Sequence, residues 1–191
     1  MIRLEEIIWR KFKDKVGGIE RYKHSLGVLK ESKKLVNFHR FDLDYDKIYK
    51  SALLHDYAKF ESYDTYKQII QDEGLDDKVL LESSKLFHSL LGPYLIKKEL
   101  NIFDEDVLNA VKYHTTGRAN MSLLEEIIFL ADFIEENRTG KIFEDIREIA
   151  YLDFKKAIAL ELELLIKNLT LKNQVINSNT IEAYYYYKKY L

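Results

Sequence analysis

The residues of this chain most able to do chemistry are histidines and aspartates in apolar surroundings. His55 and Asp56 are adjacent and directly follow the apolar run Ala52–Leu54. A His-Asp doublet alone is a weak signal, because neighbouring side chains on a helix point roughly 100° apart and can share one ion only if other elements complete the shell. Any further ligands must therefore come from elsewhere in the chain.

Two other residues are suitable ligands. His24 lies on a predicted helix whose apolar residues face the core, so its imidazole is expected to point inward. Asp132 lies within Ile127–Ile134, the most apolar stretch of the chain, where a buried carboxylate needs a cation or several donors to offset its desolvation. A metal ion is the simplest such partner. With His55 and Asp56 these residues form a His₂Asp₂ set, separated along the chain by 31, 1 and 76 residues.

Helices must position this set. One proline and seven glycines in 191 residues are too little turn material for a sheet-rich domain, and apolar residues recur at helical spacing in nearly every segment. The sequence predicts an all-α fold in a single domain over residues 1–191, with a motif core over 21–138 and C-terminal helices over 144–191 packing on it. The predicted helices are 2–15, 19–38, 45–58, 64–73, 78–86, 89–100, 104–115, 122–138, 144–169 and 180–190.

Two helix starts carry capping boxes, in which each partner satisfies a backbone N–H at the start of the helix: Ser122 with Glu125, and Asn179 with Glu182. The tyrosine-rich segment 183–190 is expected to be a terminal amphipathic helix that packs its rings on the core.

The composition excludes several classes of protein. With 30 Lys+Arg against 32 Asp+Glu, a net charge of −2 and a pI of about 6.2, no global field draws the chain to nucleic acid or to an anionic membrane, so neither is an expected partner. The chain has no cysteine, which excludes thiolate-ligated metals and leaves His and carboxylates as strong ligands. Acidic residues stand where a signal peptide would be basic, and no 18-residue apolar run occurs, so we expect a cytoplasmic protein.

The order His…His-Asp…Asp on an all-α scaffold resembles the HD-domain metal-dependent phosphohydrolases. Local strings narrow the resemblance to the YqeK-type bacterial HD proteins, which are symmetrical diadenosine tetraphosphate hydrolases. These strings are Arg21-x-x-His24-Ser25, Leu54-His55-Asp56-Tyr57-Ala58-Lys59, His88-Ser89-Leu90-Leu91-Gly92, His114-Thr115-Thr116-Gly117, Asn120-Met121-Ser122 and Leu130-Ala131-Asp132-Phe133-Ile134-Glu135-x-x-Arg138.

The resemblance implies two iron ions, one held by His24, His55, Asp56 and Asp132, and a second held by His88 and His114 with Asp56 bridging. Apolar neighbours of His88 and His114 at helical spacing also favour inward-facing rings. His39 matches no ligand string and is expected to be structural or exposed. The shell suits iron, manganese, cobalt, nickel or zinc better than magnesium or calcium, and iron is chosen by the resemblance alone.

Charged residues near the doublet and near Asp132 are candidates to act on phosphates. Lys59 would share a face with His55 if the helix continues, and its ammonium would then suit a phosphate oxygen or the leaving group. The alternative is a solvated surface lysine. Arg138 would lie about 9 Å along a helix from Asp132 and could clamp a phosphate. The alternative is a surface ion pair with Glu135.

A turn after His114 is a candidate substrate-binding segment. Thr115, Thr116 and Gly117 could offer O–H and N–H donors to phosphates, or could simply end a helix. The position of a nucleoside pocket stays open, with three aromatic residues beside the doublet as candidate walls: Tyr57, Phe60 and Tyr63.

The resemblance implies that the chain cleaves diadenosine tetraphosphate symmetrically into two ADP. In such a site Asp56, Lys59 and Arg138 would be catalytic, and a hydroxide bridging the two metal ions would attack phosphorus. Two alternatives remain open: an HD phosphohydrolase acting on another nucleotide, and a nucleotide-binding regulatory protein with a structural metal. A homodimer is one expected assembly.

Overall fold

In the computed structural model, which describes residues 3–191, helices account for all the regular structure and no strand occurs. This confirms the predicted all-α class. The helices are α1 Leu4–Phe12, α2 Gly18–His39, α3 Tyr45–Leu54, α4 Tyr63–Asp72, α5 Phe87–Leu100, α6 Glu105–Tyr113, α7 Leu123–Ile134, α8 Lys141–Leu152, α9 Phe154–Leu171 and α10 Ser178–Tyr187, with 3₁₀ turns at Asp77–Leu81, Ser84–Leu86 and Lys188–Tyr190. The predicted helix start at residue 2 lies outside the described residues.

Helix α7 is the centre of the domain. It packs against α2, α3, α6, α8 and α9, and every residue from Leu124 to Ala131 is buried. The predicted capping box at its start is present: Glu125 N–H donates to the Ser122 hydroxyl, and the Glu125 carboxylate accepts from Ser122 N–H. Because α7 is rigidly enclosed, the residues in its last turn have a well-defined place in the molecule.

Two predicted helices end earlier than expected, because histidine rings take over backbone acceptors. The helix predicted over 45–58 ends at Leu54, where the His55 ring donates from Nδ1 to the Ala52 carbonyl, 2.7 Å away. Helix α6 ends at Tyr113 in the same manner, with His114 Nδ1 2.7 Å from the Val111 carbonyl. A side chain that satisfies one of the last carbonyls of a helix stabilises that end.

The helix predicted over 122–138 ends at Ile134. Arg147 on α8 donates to the carbonyls of Ile134, Glu135 and Arg138, at 2.6, 3.0 and 3.0 Å. One guanidinium therefore bonds to three carbonyls where the chain leaves α7, and the Glu135 carbonyl also accepts from Arg138 N–H at 2.9 Å. Residues 135–140 form a turn instead of a further helical turn.

Three other boundaries also differ from the prediction. The segment 144–169 is two helices, because Asp153 adopts an extended conformation and caps α9 by accepting from Lys156 N–H at 3.1 Å. The segment 78–86 forms only short 3₁₀ turns. The capping box predicted at Asn179 is wrong: Asn177 is the N-cap of α10 and accepts from Asn179 N–H at 2.9 Å.

The tyrosine-rich helix α10 lies against α9, with the Tyr187 ring completely buried and its hydroxyl donating to Glu126 on α7. Within residues 3–191 no helix is both long and apolar enough to cross a membrane.

Candidate metal centre

Five helices bring all six sequence-predicted metal ligands to one place. His24 comes from the second turn of α2, His88 from the first turn of α5 and Asp132 from the last turn of α7, while the other three follow the ends of α3 and α6. His55, Asp56, His88 and His114 are at most 3% exposed. We call these residues the histidine-aspartate cluster: His24, His55, Asp56, His88, His114 and Asp132.

The ring nitrogens Nε2 of the four histidines converge in two pairs. His24 Nε2 lies 3.2 Å from His55 Nε2 and 2.8 Å from Asp132 Oδ1. His88 Nε2 lies 3.2 Å from His114 Nε2. Asp56 joins the pairs, with Oδ2 3.2 Å from His55 Nε2 and Oδ1 3.0 Å from His88 Nε2.

The partners of Nδ1 leave the Nε2 lone pairs directed into the cluster. Since a backbone carbonyl can only accept, His55 and His114 carry a proton on Nδ1, and this orientation directs their Nε2 atoms into the cluster. His24 Nδ1 lies 3.1 Å from Glu135 Oε1, which orients that ring in the same way. Acceptor atoms that face one another at this distance repel unless a cation or a proton lies between them.

Charge and burial prepare the cluster for a cation. Burial lowers the pKa of His114 to about 3, with repulsion from His55 and His88 adding to the effect, and burial also lowers the pKa of His88. Both rings are therefore neutral near pH 7. Asp56 is buried, and its Oδ1 atom has no hydrogen-bond partner among the described residues. Such an orphaned oxygen beside neutral imidazoles fits a divalent transition-metal ion.

The carboxylates stay ionised in spite of their burial. Burial raises the pKa of Asp56 and Asp132, but electrostatic interactions with the neighbouring histidines outweigh it and hold both pKa values well below the usual range. His24 has its pKa lowered by burial and raised more strongly by Asp132 and Glu135, so the net shift is upward. Three overlapping groups have their ligand atoms within 4.8 Å of one another: His24-His55-Asp56, His55-His114-Asp132 and Asp56-His88-His114. The cluster can therefore hold divalent metal ions.

Two residues that support the cluster were not among the predicted site residues. Arg21 on α2 donates from Nη1 to Asp56 Oδ2 at 2.5 Å. Glu135 accepts from His24 and is buried against α2, where Gly27 makes room for it: a Cβ at residue 27 would lie 2.1 Å from Glu135 Oε2. A glycine three residues after His24, on the same helix face, was the available signal for this close approach.

Lys59 reaches the cluster by a different route from the one expected. The helix does not continue past His55, and the chain instead turns tightly, with Lys59 N–H donating to the Asp56 carbonyl at 2.8 Å. Its Nζ lies 3.6 Å from Asp56 Oδ1 and 3.2 Å from His88 Nε2. The ammonium therefore lies at the rim of the cluster, partly exposed to solvent.

Arg138 is paired with Asp132. Its Nη2 lies 3.1 Å from Asp132 Oδ1, and its Nε donates to the Asp132 carbonyl at 3.3 Å. The helical spacing assumed for this residue is wrong, because α7 ends at Ile134 and the chain turns back. The alternative ion pair with Glu135 is also wrong, since that carboxylate is buried and bonded to His24 and Asn137.

The three residues of the turn after α6 have different surroundings. Thr115 lines a cavity beside the cluster and shares a hydrogen bond of 2.8 Å with Ser89. Thr116 is buried and donates to the Gly117 carbonyl. Gly117 has φ +62° and faces the core, where an added Cβ would lie 3.3 Å from Ala183 Cβ. The structure thus places Gly117 as a turn residue, in line with the helix-end alternative.

Among the candidate nucleoside walls, Tyr63 lines a cavity next to the cluster, together with Lys59 and His88. Tyr57 is buried and donates to Glu99, and Phe60 packs edge-on against Phe12. His39 lies outside the cluster and bonds to the Ala150 carbonyl at 2.8 Å, which places it in a structural position, as expected.

Comparisons with known proteins agree with this arrangement. The HD domain family matches residues 21–137, a segment that contains the whole cluster. The chain is 40% identical over 164 residues to a protein of Halalkalibacterium halodurans named bis(5'-nucleosyl)-tetraphosphatase, symmetrical, with 86% of this chain and 87% of the relative covered. A protein of the same name from Bacillus subtilis is 37% identical with the same coverage. A crystal structure of a predicted HD superfamily hydrolase involved in NAD metabolism, from Clostridium acetobutylicum, is similar with a TM-score of 0.86 and 38% identity, covering 97% of this chain and 95% of that chain.

Proposed function

The chain belongs to the HD-domain family, and we propose that it hydrolyses diadenosine tetraphosphate symmetrically into two ADP. The observation that carries the proposal is the convergence of four imidazole Nε2 atoms on the buried Asp56 carboxylate. This set can hold metal ions for phosphoryl chemistry, and the bacterial relatives that match over most of the chain are named for the symmetrical reaction.

We infer two metal sites that share Asp56. His24, His55, Asp56 and Asp132 would hold one ion, and His88 and His114 would hold the second with Asp56 between them. Iron is the expected metal, with manganese, cobalt, nickel or zinc as alternatives. Bound as a pair, such ions supply a nucleophile from water near neutral pH and stabilise negative charge on phosphoryl oxygens.

Cationic side chains at the rim of the cluster would hold the tetraphosphate. Lys59 and Arg138 lie on different sides, one beside His88 and the other beside Asp132. Arg21 and Arg138 both line a further cavity of about 340 Å³ that reaches His24. Charge-assisted hydrogen bonds from these groups can fix phosphates that flank the one attacked. Thr115, on the wall between two cavities, can add a hydroxyl donor.

Symmetrical cleavage requires that the midpoint of the phosphate chain lies over the cluster. Attack on an inner phosphorus then releases ADP and leaves ADP, whereas a shift of one phosphate would give AMP and ATP. Cavities on both the Asp132 side and the His88 side provide room for the two halves of such a substrate.

The test is hydrolysis of diadenosine tetraphosphate by metal-loaded protein in ¹⁸O-labelled water. The products are separated by chromatography and identified by mass spectrometry. We expect ADP as the sole nucleotide product, with one labelled oxygen on half of it. Equal amounts of AMP and ATP would contradict the symmetrical cut, and no turnover of any compound in a panel of nucleotides would contradict the hydrolase. The panel includes nucleoside di- and triphosphates and NAD, so that preference for another nucleotide is also detected.

Metal analysis of the same sample measures how many ions are bound and of which element. Nucleotide binding without turnover by fully loaded protein would favour a regulatory role instead. A homodimer and a cytoplasmic location stay predictions, and light scattering in solution measures the first.

A further inference from the structure

A cavity of about 600 Å³ opens directly beside the cluster, between α7, α8 and α9. Its inner end is formed by His114, Asp132 and Arg138, so it is continuous with the place where phosphates would bind. Its volume falls within the range of about 300–1,000 Å³ that is usual for small-molecule sites. The cavity is therefore the right size, and in the right place, for a group attached to a phosphate at the metal centre.

The walls of this cavity beyond the cluster are mainly apolar and include aromatic rings. Phe133 and Phe143 pack with their ring centroids 5.0 Å apart, and Leu164 and Leu165 lie across from them on α9. Aromatic and aliphatic walls of this kind suit a planar heteroaromatic ring, which gains from ring contacts and from removal of apolar area from water.

One polar group in the cavity is unexplained by the fold. Glu161 on α9 lines it and is only 6% exposed, and its Oε2 atom has no hydrogen-bond partner among the described residues. Burial raises the pKa of this carboxyl, and the negative charge of Asp132 raises it further. An unpartnered buried carboxyl costs stability, so its presence calls for a partner that is not part of the chain.

The order of residues along α9 gives the cavity a direction. Glu161 lies at the end near Asp132, and Asn168 lies seven residues further on, about 10 Å along the helix axis. In a nucleotide bound with its phosphates at the cluster, the ribose comes first and the base follows. The ribose would therefore lie beside Glu161, and the base between Phe143 and the leucines of α9.

We propose that this cavity binds one nucleoside of the substrate, with Glu161 accepting hydrogen bonds from the ribose hydroxyls and Phe143 forming part of the base pocket. The inference rests on the proposed function, since it takes the substrate to be a dinucleotide. It assigns Glu161 as a specificity-determining residue that selects a nucleotide with an intact ribose. A carboxyl oxygen accepts from a hydroxyl whether the group is ionised or neutral.

The experiment compares the affinity for ADP with the affinity for 2',3'-dideoxy-ADP, measured by calorimetry on the metal-loaded protein. We expect the unmodified protein to prefer ADP by about 10- to 100-fold, in line with hydrogen bonds to a charged or buried polar group. Glu161→Leu should remove this preference by weakening ADP binding alone. Phe143→Ala should weaken both nucleotides alike and keep their ratio.

Control variants separate this role from a structural one. Glu163 is exposed on the same helix, so Glu163→Leu should leave the ratio unchanged. Glu161→Gln keeps an acceptor and should retain part of the preference. In the absence of nucleotide, Glu161→Leu should unfold at the same temperature as the unmodified protein or higher, because it removes an unpaired buried carboxyl.

An ADP to dideoxy-ADP ratio in Glu161→Leu equal to that of the unmodified protein would overturn the proposal, as would photolabelling by 8-azido-ADP confined to peptides around Tyr63 and Phe87. Failure of the proposed function looks different. In that case diadenosine tetraphosphate is not cleaved, whereas loss of ribose selectivity in Glu161→Leu would still be seen.

Discussion

Each histidine on the α2, α3 and α6 side of the cluster is oriented by the acceptor of its Nδ1 proton. His55 and His114 use carbonyls three residues earlier, which belong to the helix ends and are present whatever the side chains. His24 instead depends on the Glu135 carboxylate. A single substitution at Glu135 can therefore change the orientation and basicity of His24. The other two rings are held by backbone carbonyls, which no side-chain substitution removes.

Glu135→Gln should weaken metal binding without emptying the site. The amide still accepts from His24 Nδ1 but carries no charge, and loss of such a supporting group typically lowers metal affinity by about 10- to 100-fold. Competition with a chelator measures the change. Glu136→Gln is the matched control, because that neighbour is exposed and pairs with Lys30 instead of a histidine. Equal affinities for the two variants would contradict the role of Glu135.

His114→Ala and His39→Ala should separate a ligand from a structural histidine. Removing the His114 ring deletes the metal-ligating atom Nε2 from the cluster and should lower both the metal content and the hydrolysis rate. Removing the His39 ring, which bonds to a backbone carbonyl and stacks on Phe41, should leave the metal content near that of the unmodified protein. Metal analysis and circular dichroism measure the metal content and the helical content of the two variants. Comparable metal loss in both would show that the metal ligands were assigned wrongly.

Lys59→Ala should impair catalysis while leaving the metal in place. Its ammonium lies at the rim of the cluster, and losing a charge-assisted contact to a phosphate costs about 1.5–3 kcal/mol, or roughly 10- to 150-fold in kcat/KM. Lys78→Ala serves as the control, because this lysine is exposed and pairs with Asp76 rather than with a residue of the cluster. Normal turnover by Lys59→Ala would show that Lys59 is a surface lysine without a role in catalysis.

At the scale of elements, the helices were predictable but several of their ends were not. Periodicity depends on short-range spacing, so it detects α2 or α7 from the sequence alone. The ends of α3, α6 and α7 are set by side chains that bond to particular carbonyls, and for α7 the capping guanidinium of Arg147 comes from the next helix. No local pattern around residues 134–138 indicates it.

In the candidate site, too, some features could be predicted from the sequence and others could not. The six ligands could be singled out because each is a polar residue in an apolar segment or part of a motif string. The conformations that carry Lys59 and Arg138 to the cluster could not, because both were assigned to continuing helices where the chain in fact turns. Glu161 went unnoticed because a single acid in a helix looks like a surface residue until the cavity beside it is seen.

Arg147→Ala should destabilise the domain through the end of α7. The carbonyls of Ile134 and Arg138 lose the guanidinium, and the Glu135 carbonyl keeps only the Arg138 N–H. Since water can replace part of what is lost, we expect a loss of about 1–3 kcal/mol in the free energy of unfolding. Arg147→Lys should recover little, because an ammonium lacks the fork that spans several acceptors. Urea unfolding measures both, with Lys141→Ala as an exposed control on α8. A loss equal to that of the control would contradict this capping role.

At the scale of the whole molecule, bound metal ions would cross-link elements that are far apart in sequence. The cluster joins α2, α5 and α7 with the ends of α3 and α6, so an ion that binds only the folded chain stabilises all five together. Without the ion, protons are the remaining cations that can lie between the converging acceptors, and the metal-free protein should depend on pH more strongly than the loaded one.

The stabilisation given by the metal should therefore grow as the pH rises. In the metal-free protein the pKa of His24 is raised above 6.5, because bonds to Asp132 and Glu135 outweigh burial, so its protonation stabilises the fold fully below pH 6.5 and this is lost as the pH rises through the folded value. Asp56 and Asp132 have lowered pKa values and contribute constantly above 3.8. Unfolding temperatures of protein with and without Mn²⁺ should thus diverge from pH 6 to pH 8.5, and His24→Ala should reduce the divergence. A difference that stays constant or shrinks over this range would show that no proton on His24 takes the place of the metal.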